Sequence, residues 1–144
     1  LRLYDESDVQ AVIELWLRTW KYALPRIDFD KRLPWFRNHW KTTLVPKTVI
    51  TVAHIDGLIV GFFTIDLKDA YVDQVAGAPE EWGRGLGSSL LDEAKRLSPE
   101  RVELYVNALN TRAIRFYKKN GFSVGRVEAS PFGGLMRRMR WQKK

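Results

Sequence analysis

The sequence predicts an α/β (α+β) fold in one domain: a mixed, mostly antiparallel sheet with helices on both faces. Three observations carry that expectation. Asp56-Gly57 stands between two β-rich runs, a strong hairpin signal. A strand beginning at Tyr71 runs into three alternating glycines, Gly83, Gly85 and Gly87, and then into a helical pattern. A further β-rich run over 102–106 completes a βαβ unit, whose two strands are parallel and joined by a right-handed crossover.

In chain order, Leu1 and Leu3 alternate with Arg2 and Tyr4, which marks a short first strand. Ser7-x-x-Gln10 reads as a capping box. Val9, Val12, Ile13, Trp16 and Trp20 form one apolar face of the helix it opens, and Pro25 lies beyond its end. A second helix is expected over 31–44, interrupted early by Pro34, with Trp35, Phe36 and Trp40 in the core. The runs 48–55 and 58–67 make the hairpin, and the strand from Tyr71 follows antiparallel. Pro79 cannot donate to a ladder, so that strand stops or bulges near it. Leu86, Leu90, Ala94 and Leu97 keep helical spacing, giving a crossover helix over 88–97. Asn110 caps the next helix, Ala113, Ile114 and Tyr117 share one face of it, and Gly121 ends it. Strands over 122–127 and 135–141 follow, separated by Pro-Phe-Gly-Gly. No repeat, low-complexity stretch or linker interrupts this order, so 1–144 reads as one domain large enough for a real core.

Composition narrows the chemistry. The absence of cysteine excludes disulfides, a thiol nucleophile and a cysteine-based metal site. His39 and His54 are too few and too far apart to suggest a metal site. No apolar run approaches a membrane span and no signal peptide is visible, so a cytoplasmic protein without a membrane partner is expected. Net charge is +7, and it is uneven: residues 1–72 hold ten Lys/Arg and nine Asp/Glu, residues 73–144 fourteen and eight. The basic excess lies in the half with the glycines, where it would steer an anionic ligand. The tail RRMRWQKK favours nucleic acid as a rival partner. Against that, the basic residues are scattered through amphipathic segments, and no helix-turn-helix or zinc pattern appears.

The glycine loop is the candidate site. Glycines let backbone N–H groups crowd toward one point, and the helix N-terminus adds the positive end of its dipole, which suits phosphate. No Lys follows the loop, so it is not a P-loop. The third position of a dinucleotide fingerprint falls on Ser88, and the next strand runs out at Val106 and Asn107 without an acid. The glycines alone leave a phosphate loop and an unliganded turn both open.

The stretch PEEWGRGLGSSLL resembles the acetyl-coenzyme A loop of the GNAT superfamily of N-acetyltransferases, which reads (Arg/Gln)-x-x-Gly-x-(Gly/Ala) after a strand and a proline. Gly85 and Gly87 match, while Trp82 stands at the Arg/Gln position. LYVNALNTRAIRFYKKNGF, ending at Phe122, is similar to that family's strand–Asn–helix–Tyr–Gly-Phe segment. The resemblance implies a fold with a splayed central parallel strand pair, acetyl-CoA as co-substrate, and a small-molecule or peptide amine as acceptor. It implies direct attack in a ternary complex, and with no Cys or activated Ser motif no covalent enzyme intermediate is expected.

Carried over by position, Val75, Ala76 and Gly77 pair with the pantetheine arm, and Gly83, Arg84, Gly85, Leu86, Gly87 and Ser88 meet the pyrophosphate. Asn110 contacts the arm as well as capping its helix. Tyr117 stands near the sulfur, where a phenol with an ordinary pKa of ~10 can return a proton to a thiolate; alternatively it is a core residue. Tyr71, Asp73 and Tyr105 occupy the candidate positions for a general base. Asp73 is the base candidate, with a plain surface carboxylate as its alternative, and Tyr71 is placed with the acceptor. Trp20 and Tyr22 mark the acceptor side and, with Trp16 and Phe29, suggest an aromatic or apolar-flanked amine. A non-catalytic acyl-CoA-binding or nucleic-acid-binding module on the same fold is the second reading, and the chain is expected to be a monomer or homodimer.

Overall fold

The computed structural model describes residues 1–131 and 134–144. Its seven strands form one sheet in the order β1-β2-β3-β4-β5-β7-β6. The strands are β1 (Arg2–Leu3), β2 (Val49–Ile55), β3 (Leu58–Asp66), β4 (Tyr71–Gly77), β5 (Arg101–Asn107), β6 (Ser123–Ala129) and β7 (Leu135–Gln142). The helices are α1 (Val9–Ala23), α2 (Phe29–His39), the single turn α3 (Val45–Lys47), α4 (Leu86–Leu97) and α5 (Thr111–Lys119). The β2–β3 hairpin turns at Asp56 and Gly57, both at positive φ, as the sequence signal requires. The Pro-Phe-Gly-Gly connection falls partly outside the described residues.

Helices cover both faces because β3 is apolar on both. The neighbours Phe62 and Phe63 point to opposite sides. Phe62 joins Val12, Ile13, Trp16, Phe36 and Trp40 beneath α1 and α2. Phe63 joins Leu90, Leu91, Ala94, Leu104, Tyr117 and Met139 beneath α4 and α5. Near-continuous apolar runs are what a doubly covered strand needs. Under α1 and α2, Trp16 lies flat on Phe36 with ring centroids 4.1 Å apart.

Two local expectations change. The chain enters α1 through a 3-10 turn at Glu6–Asp8, capped by Asp5 and not by Ser7: the Asp5 carboxylate accepts from the Ser7 N–H, and Asp8 accepts from the Asp5 N–H. The extra turn moves the helix start upstream, where a carboxylate and not a hydroxyl meets the free amides. The second helix ends its regular portion at His39. Pro34 lies inside α2 without ending it, and the chain widens into a π segment at Trp40–Leu44 before α3. In that segment Trp40 and Leu44 are both buried, whereas Trp35 is exposed.

The sheet falls into two well-paired halves with a weak join. β5 is paired with β7 along its whole length, from Arg101↔Gln142 to Asn107↔Met136. β7 thus inserts between β5 and β6. β4 and β5 are parallel and pair only at Tyr71↔Glu103 and Val72↔Leu104. Beyond Val72 they part.

Candidate active site

The parting of β4 from β5 begins at a bulge. Val72 faces Ile65 and Gln74 faces Thr64 on β3, so Asp73 is one residue too many for the ladder. From there to Gly77 the β5 edge of β4 has no strand partner. At its far end the Gly77 carbonyl accepts from the Trp82 indole N–H at 2.8 Å, and the Thr19 hydroxyl lies 3.4 Å from the same oxygen.

The chain then turns through Pro79–Glu81 into the glycine loop. Gly83 and Gly85 have φ of 81° and 88°, a region that side chains disfavour, and open space lies where a Cβ would stand. Gly85 precedes α4 with no side-chain cap, so the first amides of the helix are not satisfied by a capping side chain. Gly87 is glycine for a different reason. A Cβ there would sit 2.7 Å from Cζ of Phe116, so the loop is pressed against α5.

One cavity of about 740 Å³ connects these parts. Its walls take Val75, Ala76 and Gly77 from β4, and Gly83, Gly85, Leu86, Gly87 and Ser88 from the loop and the start of α4. The C-terminal end of α1 contributes Thr19, Trp20, Tyr22 and Ala23, and α5 contributes Arg112, Ala113, Arg115, Phe116 and Tyr117, with Asn110 ahead of it. Asn110 caps α5 by accepting from the Ala113 N–H at 3.1 Å. Tyr117 is buried between Phe116 and Phe122, and burial pushes its phenol well above the ordinary value. Among the described residues its hydroxyl has no hydrogen-bond partner.

A strand gap, a glycine loop at a helix start and a buried tyrosine thus share one cavity. The family model described as "Acetyltransferase (GNAT) family" matches residues 9–122. The chain belongs to the GNAT acetyltransferase family. It is 27% identical over 131 residues to the peptidyl-lysine N-acetyltransferase YiaC of Escherichia coli, covering 86% of this chain and 83% of that one. It is 26% identical over 140 residues to an N-acetyltransferase of Methanocaldococcus jannaschii, covering 85% of this chain but only 59% of that protein's length. In fold it is similar to the PaiA N-acetyltransferase of Thermoplasma acidophilum, solved in complex with coenzyme A, with a TM-score of 0.77 at 20% identity over 99% and 97% of the two chains. The splayed mixed sheet is thus the GNAT fold.

Six of the residues singled out above lie off the cavity wall: Arg84, Tyr71, Asp73 and Tyr105, and Trp16 and Phe29, which are buried in the core beneath α1 and α2. Arg84 stands outside it, with its guanidinium 3.9 Å from Glu81. Tyr71 and Asp73 sit at the apex of the splay. The Tyr71 ring meets Tyr105 edge-on, and burial raises its hydroxyl well above the ordinary value. Asp73 is engaged at both oxygens. Oδ1 accepts from the Gln74 amide at 2.8 Å, and Oδ2 lies 3.1 Å from His39 Nε2. Gln74 in turn accepts from the Trp16 indole, and Trp35 stacks on His39 with centroids 4.8 Å apart.

Sequence reasoning weighed His39 only as a metal ligand and missed this pairing. Nothing local announces it, because His39 and Asp73 are 34 residues apart and α2 must fold over β4 to join them. Arg112 was missed as well. Its signal was present in the cationic residues that follow Asn110, since a helix starting there repeats every three to four residues. Among the described residues no group of three or more His, Asp or Glu could hold a metal ion, and no helix is long and apolar enough to cross a membrane.

Proposed function

We propose that this chain transfers an acetyl group from acetyl-CoA to a primary amine by direct attack within a ternary complex, acting as one domain. The observation that carries the reading is the single cavity that runs from the glycine loop, along the unpaired edge of β4, to the buried Tyr117. The residues present fit the co-substrate. The open space beside Gly83 and Gly85 suits phosphate oxygens, and the free edge of β4 suits an extended amide-bearing arm. When bound, acetyl-CoA supplies the activated acyl group and the leaving thiolate.

The protein's own groups supply the rest. The loop amides and the start of α4 hold the phosphates. Backbone N–H groups of β4 near Val75 are donors toward a carbonyl oxygen that gains negative charge. The amine must lose one proton and the sulfur must gain one. Asp73, at the apex of the splay and off the cavity wall, takes the amine's proton through a bridging water; its carboxylate has lone pairs left beside its contacts with Gln74 and His39. Tyr117 gives the sulfur its proton. A phenol, with an ordinary pKa of ~10, carries that proton at neutral pH.

The acceptor is best sought among lysine side chains of peptides. The relative YiaC is a peptidyl-lysine N-acetyltransferase, and the α1 end of the cavity offers Trp20 and Tyr22 for the apolar stem of such a side chain. The test has two parts. Thermal melting with acetyl-CoA should raise the midpoint where DNA does not, and a panel of lysine peptides and small amines read by free-thiol release should find an acceptor. A shift with DNA alone, and no thiol release from any amine, would sink the reading.

A further inference from the structure

We propose that Arg112, held over the Trp82 ring, is the cation that grips the pyrophosphate of the co-substrate, standing in for the polar side chain that the loop motif carries at position 82. The inference rests on the transferase reading and adds a binding residue to it. At the Arg/Gln position of the motif this chain has an indole, which cannot bond a phosphate through its ring. Its N–H is already spent on the Gly77 carbonyl at 2.8 Å. The loop therefore lacks its own side-chain donor at that point.

Arg112 lies where that donor is missing. Its guanidinium carbon is 4.3 Å from the centroid of the Trp82 ring, and Tyr22 meets that ring in a T-shaped arrangement, at 5.3 Å and 79°. The position follows from the packing of α5. Phe116 is the residue pressed on Gly87, and Arg112 is four residues earlier, on the same helix face. The side chain that anchors α5 to the loop thus aims Arg112 at the loop too, and both line the cavity.

The charge of Arg112 is also available. Glu80 and Glu81 are the two carboxylates of this turn. Glu80 is taken by Arg18 at 2.7 Å, and Glu81 lies 3.9 Å from Arg84. Among the described residues no carboxylate pairs with Arg112. A guanidinium over an indole face is attracted by the ring without spending its N–H donors, which stay available for phosphate.

Calorimetry with three ligands tests the assignment: CoA, dephospho-CoA, which keeps the pyrophosphate and lacks the 3′-phosphate, and pantetheine, which lacks both. In Arg112→Ala, the Kd values for CoA and dephospho-CoA should rise by the same factor, on the order of 10- to 100-fold, as for a lost charged hydrogen bond, while pantetheine binding stays at the wild-type level. Trp82→Gln restores a motif side chain and removes the stacking platform, so Arg112→Ala should cost less in that background than in the wild type. An Arg112→Ala protein that melts normally and binds CoA like the wild type overturns the proposal. So does a loss confined to CoA, which would move Arg112 to the 3′-phosphate, and so does equal loss of all three ligands. Wild type that binds none of the three overturns the transferase reading along with it; wild-type binding with an indifferent Arg112 overturns this assignment alone.

Discussion

Tyr117 is shut between Phe116 and Phe122 on the cavity wall, and its hydroxyl has no partner among the described residues. An acid waiting for a leaving group needs just that: a held proton and nothing else to give it to. Tyr117→Phe keeps the ring and the packing and removes only the proton. General-acid catalysis is worth ~10²–10⁴-fold, and kcat should fall toward the low end because a thiolate leaves tolerably without help. CoA affinity by calorimetry should be unchanged. Unchanged kcat in the folded variant would return Tyr117 to the core. A second residue prediction concerns stability. The Arg2 guanidinium grips Asp8 at 2.7 and 2.9 Å and holds its carboxyl down to about 2. The unfolded chain titrates near ~3.9, so the bond stabilises fully above that pH and its contribution is lost as pH falls through 2. Urea melts of wild type and Asp8→Asn should therefore differ by a constant amount near pH 6 and converge toward pH 2. Arg2 is half-exposed, so the difference will be modest.

At the scale of elements, the contact of Phe116 with Gly87 ties two parts of the site together. It joins the start of α4 to α5, and so joins the phosphate loop to Arg112 and Tyr117. Gly87→Ala puts a methyl carbon 2.7 Å from the ring and must push α5 or the ring aside. Overpacking of this kind typically costs about 1–3 kcal/mol. We expect a lower melting temperature together with weaker CoA binding, and Gly87→Ala combined with Phe116→Leu should recover part of both. If the single variant melts and binds like the wild type, the seam is not tight. Most elements were legible from the residues that make them. The Asp56-Gly57 turn, the Asn110 cap and the glycine-led start of α4 each rest on a few neighbours in sequence. Where a better competitor stood nearby, the reading slipped. Asp5 outcompetes Ser7 for the first amides of the α1 entry, and the turn after His39 widens where Trp40 and Leu44 are both drawn into the core.

Across the whole molecule, the two halves of the sheet are joined by two β4–β5 pairs and by the helices that bridge them. The C-terminal half is held together by charge as well as by strand pairing. Glu103 on β5 is buried, with Arg138 and Arg140 of β7 each 3.0 Å away and Arg101 at 3.5 Å. Glu103→Ala leaves three guanidinium groups side by side with no anion. Because the arginines are half in water, the cost should be about 1–3 kcal/mol, below that of a fully buried pair. Hydrogen exchange should quicken in β6 and β7 before it does in β2 and β3. Uniform quickening would mean that the halves unfold as one.

The sequence by itself determined the element order, the parallel βαβ unit and the glycine loop at a helix start. It also singled out Asn110 and Tyr117. All of these are written in local periodicity, turn chemistry and motif, which need only residues near one another in the chain. Tertiary structure alone decided the rest. It placed β7 between β5 and β6, limited the β4–β5 pairing to two positions, joined His39 to Asp73 and laid Arg112 on Trp82. Those pairs lie some thirty residues apart. What brings them together is the burial of apolar faces on both sides of the sheet, whose strength depends on area rather than on order along the chain. A periodic pattern shows that a face will be buried; which partner it meets is settled only when the helices pack.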